Sequence, residues 1–339
     1  MELAFKNRSS SKQKDSYWLL LKSVSRSFYL SLRYLPDPIR LPLSLAYLLA
    51  RLTDTIADCS EIPVILRKDI IIQLQILINE PEQPLFLNQL MLNIKSNPVG
   101  FSAPDLSLIE HIPFLFELLK NQPSKNLTYI QDVMDKIIQG QLIDLHYFDS
   151  KKEIVHFSTD AELENYLYLV AGCVGEFWTK LCCNYLPNYS KSDLDDLLPI
   201  AINFGKALQL TNILRDIPKD LANGRFYLPL KNNASEDLNQ FIDGLDQEES
   251  KQLIDAWHNK ALHYLEDAAR YIETIKNRRV RFACLVPFLI AKETLNSLKN
   301  QQYIKNQESI KISRKQVYKH IRKALYYSIS DKWNYYDLT

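Results

Sequence analysis

Apolar residues recur at the i, i+3 and i+4 spacing of an α-helix almost throughout this chain, and runs that alternate like a β-strand are sparse. Only 7 glycines and 15 prolines interrupt its 339 residues. Because 46% of the residues are hydrophobic, the chain can bury a large core. We therefore predict an all-α fold.

The same periodicity sets the expected helix boundaries. We predict helices at about residues 16–34, 39–59, 63–79, 104–120, 125–148, 160–187, 191–221, 247–276, 280–298 and 312–330. Residues 1–15 are polar and are expected to form a flexible N-terminus. No linker divides the remainder, so residues 16–339 are predicted to form a single domain.

A polar stripe interrupts one of the most apolar predicted helices. Its members stand at i, i+4, i+7 and i+11, which places them on one line along the helix: Tyr47, Arg51, Asp54 and Asp58. Their neighbours are mostly leucine, and little of this helix could comfortably face water. We therefore expect the stripe to face an enclosed cavity.

A second apolar helix carries a nearly identical stripe much later in the chain. Its polar members are Gln209, Asn212, Asp216 and Asp220, with Arg215 beside them. Each stripe thus pairs an arginine with two aspartates, in the segments DTIAD and DIPKD. The two aspartate pairs could meet across one central pocket.

Four carboxylates in an apolar cavity would repel one another and be poorly solvated, so they would take up protons or require cations. Mg²⁺ binds one or two carboxylates at a time and fills its other positions with water and phosphate oxygens. The planar fork of arginine suits a diphosphate. The stripes therefore predict a site for a diphosphate ester held by Mg²⁺. The alternative is a pair of solvated helix faces, which is weakened because the arrangement occurs twice and on apolar helices.

The segment from Tyr166 to Gly175 concentrates two of the glycines, Gly172 and Gly175, beside Ala171. Glycine inside a helix costs about 1 kcal/mol relative to alanine, so something should pack closely there. A neighbouring helix is the commoner cause, and a long apolar substrate chain is the other. Tyr166 is either a core residue or a proton acceptor or relay bordering a carbocation site.

Composition and charge restrict partners and compartment. The net charge of +1 gives no general basic field, so nucleic acid is not an expected partner. The five cysteines are odd in number and lack metal-ligand spacing, which favours reduced thiols in a cytoplasm. The N-terminus lacks the apolar core of a secretory signal, and no stretch is expected to reach the apolar length of a membrane span.

Four segments together resemble the squalene and phytoene synthase family. They are Ser25-Arg26-Ser27-Phe28, the stripe from Tyr47 to DTIAD, YLYLVAGCVG at 166–175, and QLTNILRDIPKD at 209–220. They occur in the family's order and extend over nearly the whole chain. The resemblance implies an isoprenoid synthase-type helical bundle around a central cavity, which joins two prenyl diphosphates head to head.

The late part of the chain is similar to the squalene branch of that family. Residues 281–291 and 310–317 resemble a region that contains a basic flap linked to NADPH use, which implies Lys311 and Arg314 as nucleotide contacts. Ser313 and Lys315 depart from the pattern, which puts nucleotide affinity in question. The anchoring C-terminal helix of eukaryotic relatives is not seen, so membrane contact is expected to be peripheral, at the inner face and for product release.

The resemblance implies a specific reaction and residue roles. Two molecules of farnesyl diphosphate would form presqualene diphosphate, which NADPH would reduce to squalene. Mg²⁺ would be held by Asp54, Asp58, Asp216 and Asp220, which with Arg51 and Tyr166 form the expected catalytic set. The expected substrate-binding residues are Ser25, Arg26, Ser27, Phe28, Tyr47, Val170, Ala171, Gly175, Gln209, Asn212, Arg215 and Arg225.

Several alternatives stay open from the sequence. A dehydrosqualene or phytoene synthase would use the same motifs without a reductant, and a synthase could also stop at presqualene diphosphate. A non-catalytic assembly factor of the same fold would have degraded aspartate motifs, whereas both are intact here. Asp144 is expected on a helix surface or at a cap, and His146 is expected to be structural or peripheral. The oligomeric state is open.

Overall fold

The computed structural model describes residues 17–25, 28–95, 100–148, 154–230, 248–299, 310 and 312–330. These residues are almost wholly helical, which confirms the predicted all-α fold. They group into two compact units, Met1–Ile138 and Gln139–Thr339. The boundary between the units falls inside a continuous helix, Ser124–Tyr147. That residues 16–339 form a single domain stays a prediction.

The first unit is built from short and medium helices that surround one long apolar helix. Its elements are α1 (residues 17–24), α2 (Phe28–Tyr34), α3 (Asp37–Ala57), α4 (Val64–Asn79), α5 (Pro84–Lys95), α6 (Ala103–Glu110), α7 (Ile112–Lys120) and the first part of α8 (Ser124–Tyr147). Helix α3 packs against α2, α4, α6 and α7. Its leucines beside the first stripe are almost fully buried, as their apolar pattern predicted, whereas Leu41 near the start of the helix is exposed.

Proline explains a helix boundary that the periodicity missed. The predicted helix 104–120 is divided at His111, which ends α6 and begins α7. Pro113 stands in the first turn of α7, where its missing N–H costs nothing, and it could not continue the preceding helix. The predicted helix 16–34 is also divided, and α5 was not predicted.

The second unit is organised around the long helix α11. It contains the rest of α8, then β1 (Val155–His156), α9 (Asp160–Leu167), a π-helical turn (Tyr168–Gly172), α10 (Cys173–Tyr185), α11 (Leu194–Leu221), β2 (Arg225–Phe226), α12 (Glu248–Thr274), α13 (Arg278–Ser297) and α14 (Arg314–Ile329). Helix α11 packs against α9, the π-helical turn, α10, α12 and α13. The predicted helix 160–187 is thus interrupted by a π-turn, a feature often found at functional sites.

A two-residue parallel pairing ties the loop after α11 to the chain after α8. Val155 is in register with Arg225, and His156 with Phe226. The pairing is short, yet it fixes the direction in which the chain leaves the second aspartate motif. The residues that follow the motif are therefore held beside the end of α8.

Glycine allows α10 and the π-turn to approach α11 closely. A Cβ atom on Gly175 would lie 2.0 Å from the carbonyl oxygen of Ala201, and one on Gly205 would lie 2.2 Å from that of Ala171. No side chain fits at either position without moving backbone. A neighbouring helix, the commoner of the two explanations, therefore accounts for Gly175.

Helix α11 also corrects an expectation about membrane segments. Within the described residues it is the one helix long and apolar enough to cross a membrane by length and composition, with a mean hydropathy of 1.2 over its best window. The core helix of a soluble protein passes the same test, and 44% of that window is buried inside the fold. Its packing against four other α-helices of its unit is that of a core helix.

Candidate active site

The first stripe is observed on α3 with its members at different depths. Tyr47, Arg51 and Asp54 are half-buried on one line, whereas Asp58 is exposed at the C-terminal end of the helix. Nη1 of Arg51 donates to Oδ2 of Asp54 over 2.9 Å. The expectation that the whole stripe is enclosed is therefore wrong for Asp58, because the helix ends there and its last turn meets solvent.

Arg51 has a second carboxylate partner that the sequence analysis missed. Its Nη2 donates to Oδ1 of Asp105 over 3.2 Å. Asp105 lies in the first turn of α6 and also accepts a hydrogen bond from Oγ of Ser102 over 2.5 Å, as part of a capping box. Burial alone would raise the pKa of Asp105, but Ser102 and the charge of Arg51 hold it below its ordinary value. Asp105 is thus an ionised anchor for Arg51.

Three of the predicted substrate-binding residues lie together beside the start of this stripe. The ring of Phe28 lies 5.4 Å from the ring of Tyr47, between centroids. The hydroxyl of Tyr47 donates to the carbonyl oxygen of Val24 over 3.3 Å. Ser25 is buried and donates from Oγ to the carbonyl oxygen of Leu21. Arg26 and Ser27 lie outside the described residues.

The second stripe carries two half-buried aspartates one turn apart on α11, Asp216 and Asp220. Arg215 forms a bidentate ion pair with Asp216. Its Nε donates to Oδ1 over 2.9 Å, and its Nη2 donates to Oδ2 over 2.5 Å. Asp220 has no comparable arginine fork in the described structure. Burial, followed by the charge of Asp216, raises the pKa of Asp220 to about 7, although Lys219 and Arg225 act in the opposite direction.

Asp144, on α8, is half-buried in the second unit and is bonded to two buried tyrosines. Its Oδ2 accepts a hydrogen bond from the hydroxyl of Tyr166 over 2.7 Å, and its Oδ1 accepts one from the hydroxyl of Tyr227 over 2.9 Å. Its charge also contributes to the raised pKa of Asp220. The expectation that Asp144 is a surface or capping residue is therefore wrong. His146, two residues further along the same helix, is exposed as expected.

Aromatic rings enclose this acid–phenol cluster. The rings of Tyr166 and Tyr227 are stacked with centroids 5.4 Å apart, and Phe148 and Phe157 pack against Tyr227 at 4.7 and 6.2 Å. Burial and the nearby carboxylate of Asp144 raise the pKa of Tyr166 and Tyr227 well above the ordinary value for tyrosine. Both phenols therefore hold their protons at neutral pH. Tyr227 was not among the predicted site residues, although it stands in the loop that follows the second stripe.

The remaining predicted residues are distributed over the second unit. Val170, Ala171 and Gly175 are half-buried in the π-turn and α10, and Gln209 is half-buried on α11. Asn212 is exposed, Arg225 is half-buried in β2, and Arg314 is exposed in the first turn of α14. Lys311 lies outside the described residues. That the two aspartate pairs share one pocket stays a prediction.

The donor set of the second unit fits a magnesium ion that shares its ligands with a substrate. Among the described residues, no group of three or more histidines, cysteines, aspartates or glutamates could hold a metal ion by itself. Mg²⁺ commonly binds one or two protein carboxylates and completes its shell with water and phosphate oxygens. Asp216 and Asp220 match that smaller requirement, and burial with the charge of Asp216 raises the pKa of Asp220 to about 7.

An all-α fold in which separate apolar helices carry arginine–aspartate stripes defines an isoprenoid synthase-type protein. Residues 21–316 match the squalene/phytoene synthase family, and the chain belongs to that family. It is 25% identical to a squalene synthase of Botryococcus braunii over 325 residues, which is 94% of this chain and 63% of that protein. It is 32% identical to the 15-cis-phytoene synthase of a Synechocystis strain over 176 residues, 49% of each protein.

A solved structure of TcSQS in complex with the ligand E5700 has the same fold, with a TM-score of 0.73 and 21% identity. That likeness covers 92% of this chain and 86% of that one. The chain spans about 63% of the length of the Botryococcus relative.

Proposed function

We propose that this protein is a prenyltransferase that condenses two farnesyl diphosphates head to head to presqualene diphosphate and reduces that product with NADPH to squalene. Family membership supports the condensation. The squalene branch is supported by a match that extends over 94% of the chain, against 49% for the phytoene synthase. A dehydrosqualene or phytoene synthase is the second candidate. Over the 49% of this chain that it matches, the phytoene synthase is 32% identical, compared with 25% for the Botryococcus squalene synthase over 94%.

The observation that carries the proposal is the pairing of two half-buried carboxylates, Asp216 and Asp220, one turn apart on α11. Burial, followed by the charge of Asp216, raises the pKa of Asp220 to about 7, so a cation bound beside it would stabilise its ionised form. Asp216 and Asp220 would hold Mg²⁺ in the second unit, and Asp54 and Asp58 would do so in the first. When bound, Mg²⁺ neutralises diphosphate oxygens and so favours departure of the diphosphate.

The two arginines bind and orient the diphosphate in this proposal. Arg51 is fixed by Asp54 and Asp105, and its Nε atom is buried without a hydrogen-bond partner among the described residues. A buried donor without a partner costs free energy that an arriving phosphate oxygen would recover. Arg215 presents a planar fork that donates to Asp216, and the same fork can donate two parallel hydrogen bonds to phosphate oxygens when it is released from Asp216.

Tyr166 and Asp144 move the proton that the condensation releases. Because the phenol holds its proton and donates it to Oδ2 of Asp144, Tyr166 acts as a relay and not as a phenolate base. Its oxygen would accept the proton lost by the prenyl cation while its own proton passes to Asp144. The aromatic wall formed with Tyr227, Phe148 and Phe157 excludes water that would otherwise trap the cation.

The reductive step is proposed to use Lys311 and Arg314 as contacts for the nucleotide phosphates. NADPH, when bound, supplies the hydride that completes squalene. Arg314 is exposed in the first turn of α14, where both the helix N-terminus and its own charge favour an anion. We further propose a cytoplasmic protein, because its cysteines suit a reducing compartment.

The test is to incubate the full chain with farnesyl diphosphate and Mg²⁺, with and without NADPH, and to identify the lipid products by mass spectrometry. Squalene formed only when NADPH is present is the expected result. Presqualene diphosphate or dehydrosqualene formed regardless of NADPH would replace the proposal with a partial or carotenoid-type synthase. Product formed only from geranylgeranyl diphosphate would indicate a phytoene synthase, and no product from either substrate would support a non-catalytic role.

A further inference from the structure

One face of α14 exposes basic and large apolar side chains together. Its solvent-exposed members are Arg314, Lys315, Tyr318, Lys319, Arg322, Leu325, Tyr326 and Ile329. At 100° per residue these eight positions fall within less than half of the helix circumference. We refer to this set as the basic–apolar face of α14. It also lines an open groove on this helix.

Among the described residues, no acidic side chain forms an ion pair with Lys315, Lys319 or Arg322 of this face. Helix α14 contains no aspartate or glutamate. In a chain with a net charge of only +1, this is a local concentration of positive charge.

The large apolar side chains of the basic–apolar face are more than half exposed to solvent. The exposed fraction is 65% for Tyr318, 51% for Leu325, 68% for Tyr326 and 55% for Ile329. Single exposed apolar residues are ordinary, but four on one face form a patch that marks an interaction surface. Tyrosine is also a residue that settles at the boundary between hydrocarbon and water.

The opposite face of α14 already fixes the helix to its unit. His320, Ala324 and Ser328 are buried, and α14 packs against α13. Gln316 donates from Nε2 to Oε1 of Glu293 over 3.2 Å. The basic–apolar face is therefore a second, outward surface of a helix whose core contacts are complete.

We propose that the basic–apolar face docks the protein on the surface of an anionic lipid bilayer. The lysines and arginine would contact lipid phosphates, and Leu325, Tyr326 and Ile329 would enter the boundary between headgroups and acyl chains. Charge complementarity selects an anionic surface, and the exposed aliphatic side chains select a bilayer over a soluble anion, which has no apolar part to cover them. This surface lies outside the residues proposed for condensation, and its test does not depend on turnover.

The first experiment measures binding of the full chain to sedimented vesicles of phosphatidylcholine alone and of phosphatidylcholine with phosphatidylglycerol. We expect binding to the anionic vesicles only, weakened by added salt. The variant K315Q/K319Q/R322Q should bind them ~tenfold less tightly or worse, since each basic residue near such a surface contributes. The matched control K120Q/K191Q/K276Q removes three exposed lysines elsewhere and should bind like the unmodified protein.

The second experiment tests the apolar part of the face. The variant L325S/I329S should also lose binding, whereas I65S/I72S, which changes two exposed isoleucines of α4, should not. Circular dichroism and the thermal midpoint of each variant show that the fold is retained. Equal binding to neutral vesicles, no binding by the unmodified protein, or unchanged binding by either α14 variant would overturn the proposal. Loss in the charge variant alone would indicate a soluble polyanion and would overturn it as well.

Discussion

The hydroxyl of Tyr166 donates to Oδ2 of Asp144 over 2.7 Å, across 22 residues of sequence and inside an aromatic enclosure. The other oxygen of the same carboxylate accepts the hydroxyl of Tyr227. One carboxylate therefore orients two buried phenols. This arrangement makes the proton-relay role of Tyr166 testable by three substitutions that differ in which bond they remove.

Removing the relay should reduce turnover without unfolding the protein. In Tyr166→Phe the hydroxyl is lost, and in Asp144→Asn the acceptor loses its charge, so each variant should lower kcat by ~10²-fold. Tyr227→Phe leaves the bond between Tyr166 and Asp144 in place and should have a much smaller effect. Steady-state kinetics with farnesyl diphosphate and thermal unfolding of each variant check this. Equal losses in all three variants, in parallel with lower thermal midpoints, would show that the cluster is only structural.

Stability without metal should fall as the pH rises through the titration of Asp220. The pKa of this carboxyl is raised from 3.8 to about 7 in the folded protein, so its ionised form favours the unfolded state. We expect the free energy of unfolding in a chelating buffer to decline between about pH 4 and pH 7. Asp220→Asn should remove this decline and be more stable than the unmodified protein at pH 8, by up to about 4 kcal/mol.

Urea unfolding at several pH values measures this effect. Asp195→Asn, an exposed change on the same helix, is the control and should keep the pH dependence of the unmodified protein. An Asp220→Asn variant with the same decline, or with lower stability at pH 8, would contradict the raised pKa of Asp220.

Glu164 should stabilise the second unit in a different pH range. Its carboxylate contacts Nζ of Lys206 and of Lys260 at 2.7 and 2.6 Å and accepts the hydroxyl of Tyr264. Burial alone would raise the pKa of Glu164, but these three partners hold it below the ordinary 4.5. Glu164→Gln should therefore cost about 2 kcal/mol at pH 7.

The difference between the Glu164→Gln variant and the unmodified protein should shrink as the pH falls below about 4.5. The reason is that the stabilisation is present above the unfolded pKa and is lost as the pH falls through the lower folded pKa. The exposed Glu273→Gln on α12 is the control. If Glu164→Gln lowers the free energy of unfolding by the same amount from pH 7 to pH 3, the contacts of Glu164 stabilise the fold by packing and not by charge.

Two glycines on one segment should respond differently to alanine. At Gly175 the new Cβ would meet backbone of Ala201 at 2.0 Å, so α10 and α11 must separate, and we expect a loss of ~1–3 kcal/mol. At Gly172 the nearest atoms are side-chain carbons 3.2 Å away, and the gain in helix propensity should largely offset the crowding. Thermal unfolding of the two variants compares them directly. A Gly175→Ala variant as stable as Gly172→Ala would contradict the close helix approach.

Local pattern was enough to predict most helices of the fold. The apolar periodicity placed α3 and α11 within a few residues of their observed ends, since each has a strong apolar pattern. The π-turn at Tyr168–Gly172 could not be predicted, because it changes the hydrogen-bond register without changing composition. The break at His111 was missed although Pro113 signals a first helical turn.

The site was predictable where its residues share one helix and was missed where they meet by packing. The stripe from Tyr47 to Asp54 follows from helical spacing alone. Asp105 reaches Arg51 from 54 residues away, and Asp144 is distant in sequence from both of its phenol partners. Such long-range pairs leave no local signal. Asp144 is flanked by Ile143 and Leu145, and this local sequence does not show that its carboxylate meets two phenols from other segments.

The most direct test of the central claim is product formation by aspartate variants. We expect Asp216→Asn and Asp54→Asn each to abolish formation of presqualene diphosphate and squalene from farnesyl diphosphate and Mg²⁺, with thermal midpoints near that of the unmodified protein. The double change Asp195→Asn and Asp196→Asn, at two exposed positions in the first turn of α11, should leave product formation intact. Near-normal product formation by either Asp216→Asn or Asp54→Asn would contradict the account.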